Sequence, residues 1–103
     1  MVKVDIYRQD GQIYKIDVYD HAGSGDYGFD LVCAGVSAVM IGALNALDSL
    51  EKDAILHMDP SPLISITLNH DKFNYLNFIY YQLKSIEESY AQYIRIMEKE
   101  EVR

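Results

Sequence analysis

A cysteine and a histidine stand twelve residues apart in the first third of the chain, and these two residue types can together perform nucleophilic catalysis. Cys33 is the only cysteine in 103 residues, and it lies in an uncharged run from Leu31 to Leu47. His21 lies just before a glycine-rich stretch, residues 23–28. An imidazole that removes the thiol proton turns cysteine into a thiolate, the form that attacks carbonyl carbon. Cys33 is therefore a candidate nucleophile, with His21 as its general base and acid.

Two alternating segments before His21 predict a β-hairpin over residues 2–19. Val2, Val4 and Ile6 alternate with polar residues, and the same period of two recurs around Ile16. This period is typical of half-buried strands. Asp10-Gly11, a common turn dipeptide, separates the two segments.

A helix from Asp30 to about Lys52 is expected to carry Cys33. Asp30 is a suitable N-cap residue, which makes Cys33 the third residue of the first turn. Free backbone N–H groups and the helix dipole favour a thiolate there, so we expect the pKa of Cys33 to be lowered. The opposing interpretation, that a lone cysteine on an apolar helix is core filler, stays open at this point.

Small residues recur every four positions on the same helix and form a ridge that another backbone could approach closely. The ridge consists of Ala34, Ala38, Gly42 and Ala46. Because valines and Leu47 occupy the other faces, we expect little of this helix to meet water.

The second half of the chain predicts another hairpin and a long final helix. Residues 54–58 and 63–68 are short apolar runs flanking Asp-Pro-Ser-Pro, which suits a loose turn. From Asn69 to Glu100 the apolar spacing of three and four residues predicts one helix. The expected fold class is α+β: an antiparallel sheet in ββαββα order with two helices packed on it, in a single domain over residues 1–103.

Composition excludes several function classes. The net charge of −7 argues against nucleic-acid binding, which needs a basic surface. A single cysteine and a charged, strand-like start favour a cytoplasmic protein over a secreted one, and the apolar run is short for a membrane span. His57, His70 and the catalytic candidates have no metal-ligand spacing, so we expect no metal and no cofactor.

Several further residues near Cys33 have two possible roles each. Ser37 lies one turn after Cys33 and either hydrogen-bonds near the thiol or satisfies its own helix. Asp30 is expected to cap the helix, and orienting His21 is its alternative role. The glycine-rich stretch is either a lid over bound peptide or an ordinary connection. The candidate substrate-binding or lid residues are Gly23, Gly25, Tyr27, Gly28 and Phe29.

The region around the cysteine resembles the signature of the ribosomal-processing cysteine protease family, Prp. Residues 21–23 read His-Ala-Gly, and residues 28–37 read Gly-Phe-Asp-Leu-Val-Cys-Ala-Gly-Val-Ser. The family pattern is Gly-His-Ala, then Gly-x-Asp-Ile-Val-Cys-Ala-Ala-Val-Ser at the same spacing. Residues 69–71, Asn-His-Asp, are also similar to the family. The chain departs from the pattern at Asp20, Leu31 and Gly35, of which Asp20 in place of glycine is the largest change.

The resemblance implies a homodimeric endopeptidase whose catalytic pair is His21 and Cys33. Its implied substrate is a large-subunit ribosomal protein precursor with an N-terminal extension. Two other functions compete with this one on the residues alone. The chain could be a non-catalytic dimeric binding module with a structural cysteine. It could also be a small acyl-transfer enzyme or thioesterase, since the same pair serves both chemistries.

Overall fold

The computed structural model describes residues 1–20, 27–58 and 63–101, and it has the expected α+β architecture. A five-stranded, mostly antiparallel sheet carries two helices in the order ββαββαβ. The elements are β1 (Val2–Gln9), β2 (Gln12–Tyr19), α1 (Tyr27–Leu50), β3 (Ile55–Met58), β4 (Ile64–Thr67), α2 (Tyr75–Ser89) and β5 (Ile94–Glu101). The strands lie in the order β3-β4-β2-β1-β5.

The first hairpin is confirmed. β1 and β2 pair antiparallel from Lys3 opposite Tyr19 to Gln9 opposite Gln12. The turn between them has φ of 53° at Asp10 and 80° at Gly11. Two successive positive φ angles match the right-handed twist of the strands, and aspartate and glycine tolerate that conformation better than most residues.

The second hairpin is also confirmed. β3 and β4 pair antiparallel, with Met58 opposite Ile64, and β4 joins the sheet through β2. Their predicted turn, residues 59–62, lies outside the described residues.

The long final helix was a wrong prediction. α2 ends at Ser89, and residues 94–101 form β5, which runs parallel to β1. Local composition misled the prediction, because Met-Glu-Lys-Glu-Glu favours a helix when it is considered alone. The free edge of β1 provides a stronger tertiary partner, and Ile94 is buried as a result.

Acidic residues of β5 are bound by the first hairpin. The Arg8 guanidinium donates from Nε to Glu98 Oε1 over 2.8 Å, and the Gly11 N–H donates to Glu100 Oε1 over 2.9 Å. A hydrogen bond with Glu101 is the main reason why the pKa of Tyr14 rises to about 12. These contacts explain how so acidic a segment becomes a strand.

α2 begins with a side-chain cap from outside the helix. The Asp71 carboxylate accepts the N–H groups of Tyr75 and Leu76, each over 2.9 Å. Asn74, the residue just before the helix, adopts a left-handed conformation with φ of 58°. Asp71 therefore stabilises the first turn of α2 by accepting N–H groups that have no partner within the helix.

Both helices contribute to one apolar core against the sheet. Its members come from four strands and both helices: Val2, Val4, Ile6, Ile13, Ile16, Val18, Val32, Val36, Met40, Leu47, Ile64, Ile66, Leu68, Leu76, Ile79, Tyr80, Leu83 and Ile94. The helices run in opposite directions, since Gly35 lies near Ile86 while residues near the end of α1 share a groove with Tyr75.

The expectation that little of α1 meets water was wrong. Leu31, Ile41 and Leu50 are exposed, and so are the ridge residues Ala34, Ala38, Gly42 and Ala46. The sheet and α2 cover only part of the helix surface, so the ridge is left on the outside. By length and composition, Gly28–Leu50 could also cross a membrane, but core helices of soluble proteins pass the same test.

Candidate active site

Cys33 lies deeper in the helix than the sequence predicted. Because α1 begins at Tyr27, Cys33 is its seventh residue and belongs to the second turn. Asp30 is an exposed residue inside the helix, so its predicted role as N-cap was wrong. The four free N–H groups of a helix belong to its first turn, and Cys33 lies beyond them.

The described surroundings of Cys33 favour a neutral thiol. Burial is the main factor that raises the pKa of Cys33, and the negative charge of Asp30 raises it further. The amino group of Met1 acts in the opposite direction, with the smallest effect of the three. The expected lowering of the Cys33 pKa by the helix terminus is therefore corrected, because burial and Asp30 together raise it.

Phe29, Cys33 and Ser37 share one stripe of α1, since residues four apart lie on the same side of a helix. All three are half-buried, and Phe29 and Cys33 pack against the core. The stripe places an aromatic ring one turn before the thiol and a hydroxyl one turn after it.

The other predicted site residues divide between described and undescribed parts of the chain. His21, Gly23 and Gly25 lie outside the described residues, as does the side chain of Tyr27. The backbone of residues 27 and 28 is helical, so the glycine-rich connection ends earlier than predicted.

Asp20 adopts the backbone conformation for which glycine is best suited. Its φ is 59°, in the left-handed region where aspartate is tolerated and most residues are strained. Its carboxylate forms an ion pair with Lys3 over 3.2 Å. Asp20 thus adopts a conformation that glycine would also adopt readily, and its charge is paired.

Sequence reasoning missed the contact between Gly28 and Tyr93. A Cβ atom added to Gly28 would lie 2.6 to 2.7 Å from three atoms of the Tyr93 side chain. Tyr93 precedes β5, 65 positions away, so no local pattern signals the contact. The sequence prediction also placed Gly28 before the helix and not inside it, so no cost of a glycine in a helix pointed to this position.

A groove of 310 Å³ separates the second half of α1 from α2. Apolar and small residues line most of it, including Ala38, Gly42, Leu50 and Phe78. Among the residues that the structure describes, no cluster of three histidine, cysteine or acidic side chains could hold a metal. His57 and His70 are both exposed, the first on β3 and the second before α2.

Comparisons with known proteins agree on one family. The family model described as cysteine protease Prp matches residues 1–95. The chain belongs to the cysteine protease Prp family. A curated relative from Staphylococcus aureus, the ribosomal processing cysteine protease Prp, is 36% identical and covers 93% of this chain and 97% of its own. The Bacillus subtilis protease Prp is 44% identical over 46% of this chain and 43% of its own length.

Solved Prp structures have the same fold. The S. aureus protease Prp in complex with a substrate peptide superposes with a TM-score of 0.86 at 32% identity, covering 96% of this chain and all of that one. The same protease with a covalently linked product peptide gives a TM-score of 0.81 with the same identity and coverage. The SMU.848 protein of Streptococcus mutans, at 24% identity and a TM-score of 0.82, shares the fold over 98% of this chain and 96% of its own. The protein is thus a globular cysteine protease of the Prp class, a ribosomal processing hydrolase.

Proposed function

We propose that this protein is a cytoplasmic endopeptidase that removes the N-terminal extension of a large-subunit ribosomal protein precursor. In this proposal residues 1–103 form one Prp-like domain, with Cys33 as nucleophile and His21 as general base and acid. The observation that carries it is a half-buried cysteine on α1, preceded at the family's spacing by a histidine that follows β2. The S. aureus relative bound to a substrate peptide supports a peptide as substrate.

The chemistry requires His21 more strongly than the sequence suggested. Burial and the negative charge of Asp30 both raise the pKa of Cys33, so a base has to remove the thiol proton. In the proposed reaction His21 takes the thiol proton while Sγ attacks the scissile carbonyl carbon. The carbon–nitrogen bond then breaks, the leaving amine takes the proton from His21, and a thioester remains on Cys33. Water, deprotonated by His21, then attacks the thioester carbon and the carbon–sulfur bond breaks. The proton returns from His21 to the Cys33 sulfur, and the new carboxyl terminus is released.

A covalent intermediate has support from the relatives. The S. aureus protease was solved with a covalently linked product peptide, which suits attack by an enzyme nucleophile. This support favours the protease over a non-catalytic binding module. A thioesterase would use the same pair, and offering simple thioesters beside extended peptides separates the two activities.

The remaining predicted site residues keep the roles that the sequence suggested, with the exception of Gly28. Gly23, Gly25 and Tyr27 are proposed to contribute to a lid over the peptide, and Phe29 to contact it near the thiol. Ser37 and Asp30 are proposed as supporting residues, with Asp30 close enough to alter the pKa of Cys33. Gly28 faces Tyr93 and is proposed as a packing residue instead of a lid residue.

Cleavage of an extended precursor tests the proposal directly. We expect the wild-type protein to shorten the precursor, and Cys33→Ala and His21→Ala to abolish the reaction while keeping the wild-type melting temperature. Ser49→Ala, an exposed change at the end of α1, is the matched control and should cleave normally. Normal processing by a folded Cys33→Ala protein would show that the assignment is wrong.

A homodimer is proposed from the apolar surface that the fold leaves uncovered. We call this surface the open face and define it by Ala38, Ile41 and Gly42 of α1 with Phe78 and Tyr81 of α2. Phe78 is 72% exposed and Tyr81 is 66% exposed. Large exposed apolar patches mark interaction sites, and a ridge of small residues lets a second helix approach closely. A second copy of the chain would cover the face with the same residues.

A further inference from the structure

The outer edge of β5 is the longer of the two edges of the sheet. β5 pairs with β1 on one side, and among the described residues no strand lies on its other side. It is eight residues long, whereas β3 at the opposite edge has four. A long edge strand presents a row of N–H and carbonyl groups with which a strand of another chain can pair. β5 is therefore the part of the sheet most open to the addition of a strand.

Alternate residues of β5 direct their backbone groups to this outer edge. The Val2 N–H donates to the Tyr93 carbonyl over 2.8 Å, so the carbonyl of residue 93 faces β1. The N–H and carbonyl groups of one residue in a strand point to the same side, and those of the next residue point to the opposite side. The backbone groups of Ile96, Glu98 and Glu100 therefore point away from β1.

A glutamate of α2 already binds one of these outward N–H groups. Glu87 Oε2 accepts the Ile96 N–H over 2.6 Å, although the two residues belong to different elements. The other oxygen of the carboxylate accepts a hydrogen bond from Lys84 Nζ over 2.9 Å, which holds the side chain in place. Only 18% of the Glu87 side chain is exposed. The carboxylate thus lies where the carbonyl of an added strand would lie at Ile96.

The charges of β5 are complementary to those of a second, antiparallel copy of the same strand. In the register that places the two Glu98 residues opposite each other, Arg95 of each copy lies opposite Glu101 of the other. A two-fold axis between the copies makes this ion pair occur at both ends of the strand. The two Glu98 carboxylates do not add an unpaired charge, since each is bound by Arg8 of its own chain over 2.8 Å.

We propose that Glu87 is an autoinhibitory contact on a strand-addition site, and that its carboxylate keeps the β5 edges of two copies of the chain apart. Pairing of the two edges requires the Ile96 N–H to donate to the other copy, and Glu87 holds that N–H within its own chain. Loss of the carboxylate frees the N–H, and the two β5 strands then pair antiparallel. The inhibition depends neither on the protease activity nor on a homodimer formed through the open face.

Hydrogen exchange of single amides tests the contact in the wild-type protein. Relative to an unfolded chain, we expect the Ile96 amide to exchange ~10- to 100-fold more slowly than those of Glu98 and Glu100, because a hydrogen bond to a charged group protects it. NMR spectra recorded after transfer to heavy water give the three rates. Equal protection of the three amides would overturn the proposal, since Glu87 would then not hold the edge.

Removal of the carboxylate tests whether it keeps two copies apart. Glu87→Ala places a strong helix former in α2, so we expect the helix to stay folded. Ile41→Asp is added so that the open face contributes no association. We expect the double variant to sediment as a dimer at high protein concentration and the Ile41→Asp parent to sediment as a monomer. A folded double variant that stays monomeric at every concentration would contradict the proposal.

Two further variants in the same background separate the hydrogen bond from the charge. Glu88→Ala removes the same charge from the exposed neighbouring residue and should leave the protein monomeric. Glu87→Gln keeps an oxygen that accepts the Ile96 N–H, and it should be monomeric as well. If either variant associates as strongly as Glu87→Ala, loss of charge is the cause of association and the proposal is wrong.

Hydrogen exchange of the associated protein identifies the surface that it uses. In the Glu87→Ala variant the Ile96 amide should exchange quickly at low protein concentration, because its acceptor is gone. As the concentration rises, the amides of Ile96, Glu98 and Glu100 should all exchange more slowly, a pattern specific to pairing at the outer edge of β5. Association that leaves these three amides unprotected would place the interface elsewhere and overturn the proposal.

Discussion

The two halves of α1 meet their surroundings in opposite ways. At the start of the helix, the backbone at Gly28 lies directly against the Tyr93 ring. Near the end, a Cβ on Gly42 would have no heavy atom within 4 Å, and a groove lies between α1 and α2. One helix thus has a closely packed half that carries the candidate nucleophile and an open half suited to a partner. Two glycines in the same helix therefore have different reasons to be small.

The largest expected effect is at the closely packed half. Gly28→Ala forces the Tyr93 ring or the helix to move, and overpacking of this kind costs about 1–3 kcal/mol in the free energy of unfolding. Urea denaturation monitored by circular dichroism measures it. A Gly28→Ala protein as stable as the wild type would remove the contrast between the two halves.

Introducing a charged side chain on the open half of α1 tests whether a second copy of the chain covers it. We expect Ile41→Asp to convert the proposed homodimer into a monomer, because a buried unpaired carboxylate is strongly unfavourable at an interface. Analytical ultracentrifugation measures the mass. Ile55→Asp is the matched control, since Ile55 is 58% exposed on β3 and Ile41 is 42% exposed on the open face. A wild-type protein that sediments as a monomer would refute the homodimer.

A second glycine substitution sharpens the comparison with a smaller effect of opposite sign. Gly42→Ala should raise the free energy of unfolding of the protomer by up to ~1 kcal/mol, because alanine is the better helix former and the methyl group has room. The measurement is made in the Ile41→Asp background, so that only the protomer unfolds. Destabilisation there would mean that the open half is more closely packed than the structure shows.

The smallest expected effect is electrostatic. Asp30 raises the pKa of Cys33, so Asp30→Asn should lower that pKa. At pH values below the midpoint of the pH profile for alkylation of Cys33 by iodoacetamide, the substitution should speed the reaction by no more than a few-fold. The sign follows because a negative neighbour disfavours the thiolate. Asp48→Asn, an exposed change at the other end of α1, should leave the alkylation profile unchanged. A slower reaction of Asp30→Asn would show that Asp30 helps the thiolate form, for example through His21.

Local patterns predicted the hairpins and the existence of both helices. The period of two around Val4 and Ile16, with Asp10-Gly11 between them, was enough to define the first hairpin. The start of α1 was misplaced by three residues, because Asp30 is a good capping residue and Gly28 a poor helix former. β5 was missed because its strand character depends on β1, Arg8 and the turn at Gly11, which are distant in sequence.

The candidate site was predictable as chemistry but not as geometry. Residue types and the family pattern singled out Cys33 and His21. The direction of the pKa shift at Cys33 was mispredicted, because it depends on burial and on where the helix begins. The contact of Tyr93 with Gly28 depends on tertiary packing alone, so no local sequence pattern near either residue predicts it.

The parallel pairing of β1 with β5 has a consequence for synthesis of the protein. Val2 lies opposite Ile94, so this side of the sheet can form only after all the residues between them have been synthesised. Contacts so distant in sequence slow folding, because the intervening loop has to close first. Tyr93 arrives with the same late segment. Cys33 is therefore synthesised long before β5, and the sheet on which its helix packs stays incomplete until residues 94–101 have been made.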